Sequence, residues 1–569
     1  MMDTNNLNIL YKRQRHNTLQ DLFAYAVTNY ANAPAFLIDD KETKETYSLS
    51  YRDFGAQVMM LAHQLRSKGY HRDTIAIMGN NSPAWVMAYF AIIISNNIAV
   101  PLDKGLPREE IISILTRSQC KGIFFEQPLQ DTVYSLADSE SLVLEDRFPL
   151  PSLHNTTHST LHTSSRDTLM DLPASEPLSM AVLLFTSGTT SASKAVMLSH
   201  RNLCENVFSY TSCVNMNVGD TVLAVLPFHH TYGSMAGMLS VVSTGACNVF
   251  ADGLKHIGKI IQKHQVSIFM SVPLLVESLC NAIIKEMKKD GIWNSVEKRL
   301  QQSPRFTHLT MEQRRNRFPD VLEKFGGKLR LIMSGASPFN PKTAQIFSDF
   351  GILPAQIYGL TETAPAVTIE SEKSHRIGSV GRPVPGVTVA IDTPDENGIG
   401  EIIVKGSNVM MGYFHDTLAT ARAIKNDWFY TGDLGYLDND GFLYLKGRSK
   451  NVIVLKNGKN VFPEELESLV EPLPYVKECM VLGVPRRGRD KDDLVICLKI
   501  VYDAAYVAQC LGEENLRSCI EKDIDKLNQR LPKFKKIHKL VITDQPLVRT
   551  STSKVKRFEE GRLLASTGS

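Results

Sequence analysis

Apolar runs and amphipathic segments alternate along the first part of the chain. Residues 51–68 carry apolar side chains at helical spacing, which predicts an amphipathic helix. Short apolar runs at 74–78, 98–102 and 122–125 have the length and composition of buried strands. Because strands and helices that alternate in this way usually form parallel sheets, we expect an α/β fold with helices on both faces of each sheet.

The pattern changes in the second half of the chain. Another alternating region covers 220–355, and within it residues 284–324 are basic and helical in pattern. From 378 to 445, short β-branched runs are separated by Gly, Asp and Asn, which predicts antiparallel strands and a small barrel. A separate compact unit follows, with strand patterns at 479–484 and 494–498.

Composition narrows the class of protein. The chain has 569 residues, a length that predicts more than one domain. Its net charge of +3 gives no reason to expect a nucleic-acid partner. The most apolar run, 85–94, is too short to cross a bilayer and predicts a buried helix. Nine Cys residues without CxxC spacing are typical of reduced thiols, so we expect a cytoplasmic protein.

The most informative chemistry follows the apolar run 182–185. Hydroxyl groups and backbone N–H groups can donate to phosphate oxygens, and a Lys adds a point charge. The P-loop pattern GxxxxGK[ST] is absent, so this would be a different phosphate turn. A Ser/Thr-rich surface turn is the alternative. The candidate phosphate-binding residues are Thr186, Ser187, Gly188, Thr189, Thr190 and Lys194.

Four further motifs follow in order: YGLTET at 358–363, WFYTGDLGY at 428–436, KGRSKN at 446–451 and GKNVFPEELE at 458–467. With the turn, they resemble the adenylate-forming superfamily of acyl-CoA synthetases, nonribosomal-peptide adenylation domains and luciferases. The resemblance runs from about residue 18 to 557. The segment PFHHTYG and the basic insert are most similar to bacterial long-chain fatty acyl-CoA synthetases.

The resemblance implies an architecture and a reaction. A large N-terminal domain, 1–447, would hold two doubly wound sheets and the small barrel, and a small α+β lid, 448–569, would turn about Lys450. The protein would use ATP and Mg²⁺ to convert a carboxylic acid, first of all a medium- or long-chain fatty acid, to acyl-AMP with release of pyrophosphate. The acyl group would then pass to the thiol of coenzyme A.

The resemblance also assigns roles to single residues. Lys554, in the motif RTSTSK, would neutralise charge during adenylation, although Lys556 lies close by and a solvated basic tail is the alternative. His230, chosen over His229 from its spacing to Gly233, would approach the substrate carboxylate, and a core or helix-capping His is the alternative. Glu362 would bind the metal, against a helix-capping pair with Thr361. Gly458 would lie in the loop that serves thioester formation.

The resemblance also implies which residues would bind the nucleoside. Thr361 would donate to the α-phosphate, and Asp433 would accept from the ribose hydroxyls, although a turn Asp is the alternative reading of Thr-Gly-Asp. Small residues after a strand would let adenine approach the backbone. The adenosine set is Gly335, Ala336, Ser337, Tyr358, Asp433 and Arg448.

The phosphate turn departs from the superfamily pattern TSGTTGxPKG. Ser191 and Ala195 stand where that pattern has Gly, and Ser193 stands where it has Pro. These changes could alter the rate of the reaction. They also motivate a second hypothesis, that the protein is an acyl- or nucleotide-binding relative without turnover. A third reading has a separate acyl carrier protein as the acceptor. The basic insert could touch an anionic membrane surface, with a solvated helical face as the alternative.

Overall fold

The computed structural model describes most of the chain. The described residues are 9–40, 43–136, 142–151, 172–186, 193–251, 253–302, 306, 308–337, 339–456, 459–486, 494–549 and 555–566.

Two large sheets build the first two thirds of the protein. The nine-stranded sheet is parallel at its centre and antiparallel at both edges. In spatial order its strands are Arg382–Pro383, Ala366–Ile369, Leu353–Gly359, Leu331–Ser334, Ile268–Ser271, Thr221–Ala224, Cys247–Phe250, Pro34–Asp39 and Thr46–Ser50.

The seven-stranded sheet is parallel over five strands and antiparallel at one end. The strands predicted at 74–78, 98–102 and 122–125 lie at its centre with the predicted bounds. In spatial order its strands are Gly412–Tyr413, Lys194–Ser199, Met180–Thr186, Ile98–Leu102, Thr74–Met78, Gly122–Phe125 and Asp146–Pro149.

Helices cover the sheets and join them through one core. The helix Pro83–Ile94 has every residue buried, as its apolar sequence predicts, and the side chain of Ser82 caps its first turn. The amphipathic helix Tyr51–Ser67 packs against it. The remaining α-helices of this part are Leu19–Asn29, Arg108–Arg117, Gln130–Ser135, His200–Cys213, Thr231–Ser234, Ser240–Thr244, Ile257–Lys263, Pro273–Lys289, Trp293–Leu300, Met311–Arg315, Pro319–Lys324 and Pro341–Asp349.

A five-stranded antiparallel sheet takes the place that the sequence assigned to a small barrel. Its pairings run through Val387–Asp392, Gly400–Gly406, Trp428–Leu437 and Ile424–Lys425, with Leu443–Arg448 also pairing with the long strand. Among the residues that the structure describes, no pairing joins Val387–Asp392 to Ile424–Lys425 or to Leu443–Arg448, so these strands form an open sheet and not the closed barrel that the sequence predicts. The helix Thr417–Ala423 packs beside it.

The last part of the chain has a core of its own. The antiparallel strands Val476–Pro485 and Leu494–Tyr502 and the parallel strand Ile537–Thr543 form a three-stranded sheet. A short pair, Ile453–Val454 with Asn460–Val461, precedes it. The helices of this part are Pro463–Val470, Ala504–Tyr506, Glu513–Arg530 and Arg557–Ser566. The predicted α/β fold with a small C-terminal unit is confirmed.

Two cations of the basic segment 284–324 bind neighbouring groups of the protein. Lys324 pairs with Glu286 at 3.0 Å and with Asp290. Arg315 donates to the carbonyl of Leu329 at 2.6 Å. These contacts favour a structural role over a membrane surface. Within the described ranges, every helix is too short or too polar to cross a membrane.

The buried His200 connects two helices by a hydrogen bond, and its burial predicts that the protein is less stable in acid. Its Nδ1 accepts the backbone N–H of Leu19 at 3.2 Å, and burial lowers the pKa of the imidazole to about 4. The unfolded chain binds this proton near pH 6.5, so the free energy of unfolding should fall as the pH drops from 6.5 to 4, by up to about 3 kcal/mol.

Thermal unfolding at pH 7 and at pH 5 tests this expectation. His200→Gln should lose part of the drop in Tm between the two pH values, because its amide does not titrate. His71→Gln, which removes an exposed imidazole, serves as the control and should keep the wild-type drop. An unchanged drop in His200→Gln would contradict the assignment.

Candidate functional site

Two strands carry the flanks of the predicted phosphate turn. Thr186 ends one strand of the seven-stranded sheet, and Lys194 begins its antiparallel neighbour, so the two residues face each other in register. The Thr186 hydroxyl donates to the Lys194 carbonyl at 3.4 Å. Ser187, Gly188, Thr189 and Thr190 lie outside the described residues, and their role stays a prediction.

Lys194 and Glu362 meet on opposite parts of one tyrosine. The Lys194 ammonium lies 4.3 Å from the centroid of the Tyr413 ring, a cation–π contact. The hydroxyl of the same tyrosine donates to Glu362 Oε1 at 3.0 Å. The fold therefore brings the predicted phosphate lysine and the predicted metal ligand to one side chain, although 168 positions of sequence separate them in their numbering (362 minus 194).

Burial fixes the direction of the tyrosine hydrogen bond. Tyr413 is only 6% exposed. Burial, with Glu362 as the second cause, raises the pKa of this phenol well above its ordinary value. The phenol therefore stays protonated and donates to the carboxylate at any physiological pH.

Backbone hydrogen bonds hold the segment 410–414 between the two parts of the site. The N–H of Met410 donates to the Glu362 carbonyl at 2.8 Å. The N–H groups of Met411 and Phe414 donate to the carbonyls of Met197 and Ala195, at 3.0 and 2.8 Å. We call this segment the 410–414 strap. It joins the strand that leaves the phosphate turn to the loop that carries Glu362.

Glu362 fits a hard cation. One carboxylate oxygen accepts from Tyr413, and the other has no hydrogen-bond partner among the described residues. In the described part of the chain, no three His, Cys, Asp or Glu side chains form a metal-binding group. A cation at Glu362 would therefore take its other oxygens from phosphate and water, as Mg²⁺ commonly does.

The residue after the predicted acyl-side histidine contacts Thr361. His230 directly precedes the short helix Thr231–Ser234, and the Thr231 hydroxyl donates to the Thr361 hydroxyl at 3.0 Å. A side chain at Gly233 would run into the carbonyl of Pro227, so this tight loop requires glycine. The loop that carries His230 thus borders the loop that carries Glu362.

The neighbouring His229 is directed elsewhere. Its Nε2 lies 3.8 Å from Asp103 Oδ2, and burial lowers the pKa of this imidazole. The two imidazole centroids are 4.4 Å apart. The choice of His230 over His229 from the spacing to Gly233 stays a prediction, and the contact of Thr231 with Thr361 supports it.

The chain packs closely just after the strand Leu331–Ser334. A Cβ at Gly335 would come within 2.8 Å of Ile357 and 2.9 Å of Tyr232, so only glycine fits there. Ala336 follows with φ of +73°, a strained value for a residue with a side chain. Ser337 is exposed. Contacts within the protein therefore require the glycine, and the place of adenine beside it stays a prediction.

Tyr358, Asp433 and Arg448 form one connected group. Tyr358 donates to Asp433 Oδ2 at 2.7 Å, and Arg448 Nε lies 2.7 Å from Asp433 Oδ1. Burial, and then Asp433, raises the pKa of Tyr358 well above its ordinary value, so the phenol stays a donor. The two contacts hold the Asp433 carboxylate in a fixed position, and its role as an acceptor for the ribose hydroxyls stays a prediction.

The predicted hinge lies directly beyond Arg448. Lys450 is exposed in the short 3₁₀ turn Ser449–Asn451, and Asn451 donates to Glu464 at 2.6 Å. Lys554 and Gly458 lie outside the described residues. Residues on either side of position 554 are held, because Arg549 and Val555 form a β-bridge and Arg557 binds Glu467 at 2.8 Å.

Sequence reasoning missed Tyr413 and Thr231. Tyr413 lies in the short motif Met410–Met411–Gly412–Tyr413–Phe414, which carries no charged group and gives no chemical signal by itself. Thr231 stands beside the two histidines, but only the fold places it against Thr361. The sequence shows Tyr413 as an aromatic residue between two motifs. Its contacts with Lys194 and Glu362 depend on the order of the strands, which the sequence does not show.

Comparison with known families identifies the class of protein. Residues 23–414 match the AMP-binding enzyme family, and residues 450–562 match the AMP-binding enzyme C-terminal domain. The chain therefore belongs to the AMP-binding enzyme family. The two matches stop and start on either side of 415–449, which contains Asp433 and Arg448.

The relatives are acid–CoA ligases of several kinds. Human long-chain-fatty-acid–CoA ligase ACSBG2 is 26% identical over 82% of this chain and 74% of the relative. Indoleacetate–CoA ligase of Aromatoleum aromaticum is 25% identical over 91% of this chain and 93% of the relative. The ATP-bound crystal structure of MatB from Rhodopseudomonas palustris has a TM-score of 0.71 and 24% identity, covering 96% of this chain and 98% of MatB.

The role of the tyrosine can be tested by two substitutions. Tyr413→Phe removes the hydrogen bond to Glu362 but keeps the ring beside Lys194. We expect it to weaken binding of ATP with Mg²⁺ by about fivefold, since one hydrogen bond to a charged group is lost. Tyr413→Leu removes the ring as well, and because Lys194 would leave the ring to reach the phosphates, this variant should bind no more weakly than Tyr413→Phe.

Isothermal titration calorimetry gives the dissociation constant for each variant. Tyr134→Phe, which alters an exposed tyrosine, is the control and should bind as the wild type does. Equal affinity in wild type and Tyr413→Phe would show that the hydroxyl does not orient Glu362.

Proposed function

We propose that the protein is an ATP-dependent acid–CoA ligase that forms an acyl-AMP intermediate. The observation that carries the proposal is the meeting of Lys194, Tyr413 and Glu362 beside Thr361, in a chain that matches both parts of the AMP-binding family. The names of the relatives support the choice of coenzyme A as acceptor, with several acids among their substrates.

The first half-reaction joins two anions. A substrate carboxylate attacks the α-phosphorus of ATP, and pyrophosphate leaves. Two unit charges about 4 Å apart interact by about 4 kcal/mol at an effective dielectric constant near 20, so cations in place before the attack lower the barrier. Lys194 moves from the Tyr413 ring to the phosphates, and Thr361 donates to the α-phosphate. Mg²⁺ bound at Glu362 would neutralise further charge on the leaving pyrophosphate.

The acid enters beside His230. Its carboxylate would lie between this imidazole and the α-phosphate, next to the Thr231–Thr361 hydrogen bond. The nucleoside would lie with adenine beside the backbone at 335–337 and the ribose beside the Asp433 carboxylate, which accepts from Tyr358. Tyr358 and Arg448 orient that carboxylate, so the ribose meets an acceptor whose position is already fixed.

The second half-reaction needs a different arrangement of the C-terminal unit. We infer that residues 448–569 turn about Lys450, which withdraws Lys554 and brings Gly458 toward the thiol. The thiolate of coenzyme A attacks the acyl carbon of the mixed anhydride, a C–S bond forms, and AMP leaves. Lys450 is exposed in a short turn at the first residue of the C-terminal family match, which supports this boundary. Such a movement is a hinge transition.

We infer that the acid is apolar, with a medium- or long-chain fatty acid first. Three residues near His230 in the sequence are buried and uncharged: Ala224, Phe228 and Met235. Such surroundings suit an acyl chain better than an amino group. The name of the human relative, a long-chain-fatty-acid–CoA ligase, supports this choice, whereas the indoleacetate ligase favours an aryl acid.

Pyrophosphate release with a panel of acids tests both the reaction and the acid. We expect release from ATP to depend on the acid and to be fastest with medium- and long-chain fatty acids, followed by aryl acids and then amino acids. Coenzyme A and a purified acyl carrier protein, offered separately, decide the acceptor. No release with any acid would favour a binding protein, and fastest release with amino acids would contradict the proposal of an apolar acid.

The separate role of Lys554 predicts a split between the half-reactions. Lys554→Ala should lower pyrophosphate release at least about a hundredfold, because a charge-neutralising group is lost. Thioester formation from supplied acyl-AMP should stay close to wild type.

Lys556→Ala is the matched control. Lys556 pairs with Glu559 at 3.0 Å, so its loss should leave both half-reactions nearly unchanged. Equal loss of the two half-reactions in Lys554→Ala, or a larger effect of Lys556→Ala, would contradict the assignment.

A further inference from the structure

Arg117 contacts both flanks of the phosphate turn. It lies in the last turn of the helix Arg108–Arg117. Its Nη2 donates to the Ser193 carbonyl at 2.7 Å, and its Nη1 donates to the Ser193 hydroxyl at 3.3 Å. Its guanidinium also lies 5.2 Å from the centroid of the Phe185 ring. Phe185 precedes the turn and Ser193 follows it, so one side chain spans the two flanks.

The base of Arg117 is held rigidly. Ile114 and Leu115, on the same helical turns, are buried in the core of the seven-stranded sheet. The neighbouring Ser118 is also buried, and its hydroxyl donates to the Ile114 carbonyl at 2.7 Å. The planar guanidinium therefore extends from a fixed point and presents several donors in a fixed geometry.

Ser193 is one of the positions where this chain departs from the superfamily pattern. That pattern has Pro there, and a proline fixes φ near −65° and so limits the conformations that the backbone can adopt. A serine gives no such restriction. The two hydrogen bonds from Arg117 reach the carbonyl and the hydroxyl of this same residue.

We propose that Arg117 is a positioning residue that fixes the downstream flank of the phosphate turn, in place of the missing proline at position 193. It acts on the nucleotide through Ser193 and Lys194 rather than by touching the phosphates. Lys194 directly follows Ser193, so a fixed Ser193 carbonyl fixes where the lysine side chain begins. This inference rests on the proposed function, since the turn is taken to bind ATP.

The test is a cycle of substitutions with an internal rescue. The four proteins are wild type, Arg117→Ala, Ser193→Pro and the double variant. We expect Arg117→Ala to weaken binding of ATP with Mg²⁺ and to lower kcat/KM for ATP by about fivefold. Ser193→Pro should stay within about twofold of wild type, and the double variant should recover to the level of Ser193→Pro.

Arg108→Ala is the matched control. Arg108 lies on the same helix and donates to the Ser135 carbonyl at 2.8 Å, away from the turn. This variant should bind ATP as the wild type does. The thermal unfolding midpoint of every variant shows that a loss of binding is not a loss of folding.

Several results would overturn the proposal. Wild-type affinity in Arg117→Ala would show that the contacts do not matter. A double variant as weak as Arg117→Ala would show that the guanidinium meets the phosphates directly, because a proline cannot replace such a contact. Weak binding by Ser193→Pro alone would show that proline does not suit this backbone.

A failure of the Arg117 proposal can be distinguished from a failure of the proposed ligase function. Calorimetric binding of ATP needs no acid and no turnover. If the wild type binds ATP but releases no pyrophosphate with any acid, the ligase proposal fails while the four affinities still decide the role of Arg117. If the wild type binds no ATP, both proposals fail.

Discussion

The 410–414 strap is the constraint on which the site depends. It pairs with the strand that leaves the phosphate turn, and it also hydrogen-bonds the backbone of Glu362. Tyr413 repeats this link with its side chain, between Lys194 and Glu362. The proposed function requires Lys194 and Glu362 to lie near one triphosphate. The two residues come from different sheets, and the strap connects those sheets directly through backbone hydrogen bonds.

The rest of the architecture supports that arrangement. One hydrophobic core contains residues of both large sheets and of the helix Pro83–Ile94, and it continues into the antiparallel sheet. Parallel strands end at one edge, so the loops at Phe228, Gly335 and Gly359 gather there, as expected for open α/β sheets. A side chain at Gly359 would run into the Pro365 carbonyl, which explains why glycine stands between Tyr358 and Thr361. The C-terminal unit has a separate core, which suits a part that moves.

Much of this could be predicted from sequence, for physical reasons that differ between elements. The strands at 74–78, 98–102 and 122–125 are buried on both faces, so their apolar runs fixed their bounds. The antiparallel region was predicted from its β-branched runs, but the pairing that leaves the sheet open was not. The roles of Tyr413 and Arg117 could not be predicted, because they come from contacts between residues that are far apart in the sequence. Tyr413 contacts Glu362 and Arg117 contacts Ser193 only because of the order of the strands in the sheets. The sequence shows that Ser193 departs from the superfamily pattern, but only the fold shows that Arg117 binds it.

The most direct test is the crystal structure of the protein with Mg²⁺ and a non-hydrolysable ATP analogue. The account predicts that the triphosphate lies between Lys194 and Glu362, with Lys194 moved off the Tyr413 ring and the metal on Glu362. Adenine should lie against Gly335 and the ribose against Asp433. A nucleotide bound anywhere else, or a triphosphate that leaves Lys194 on the Tyr413 ring, would contradict the account.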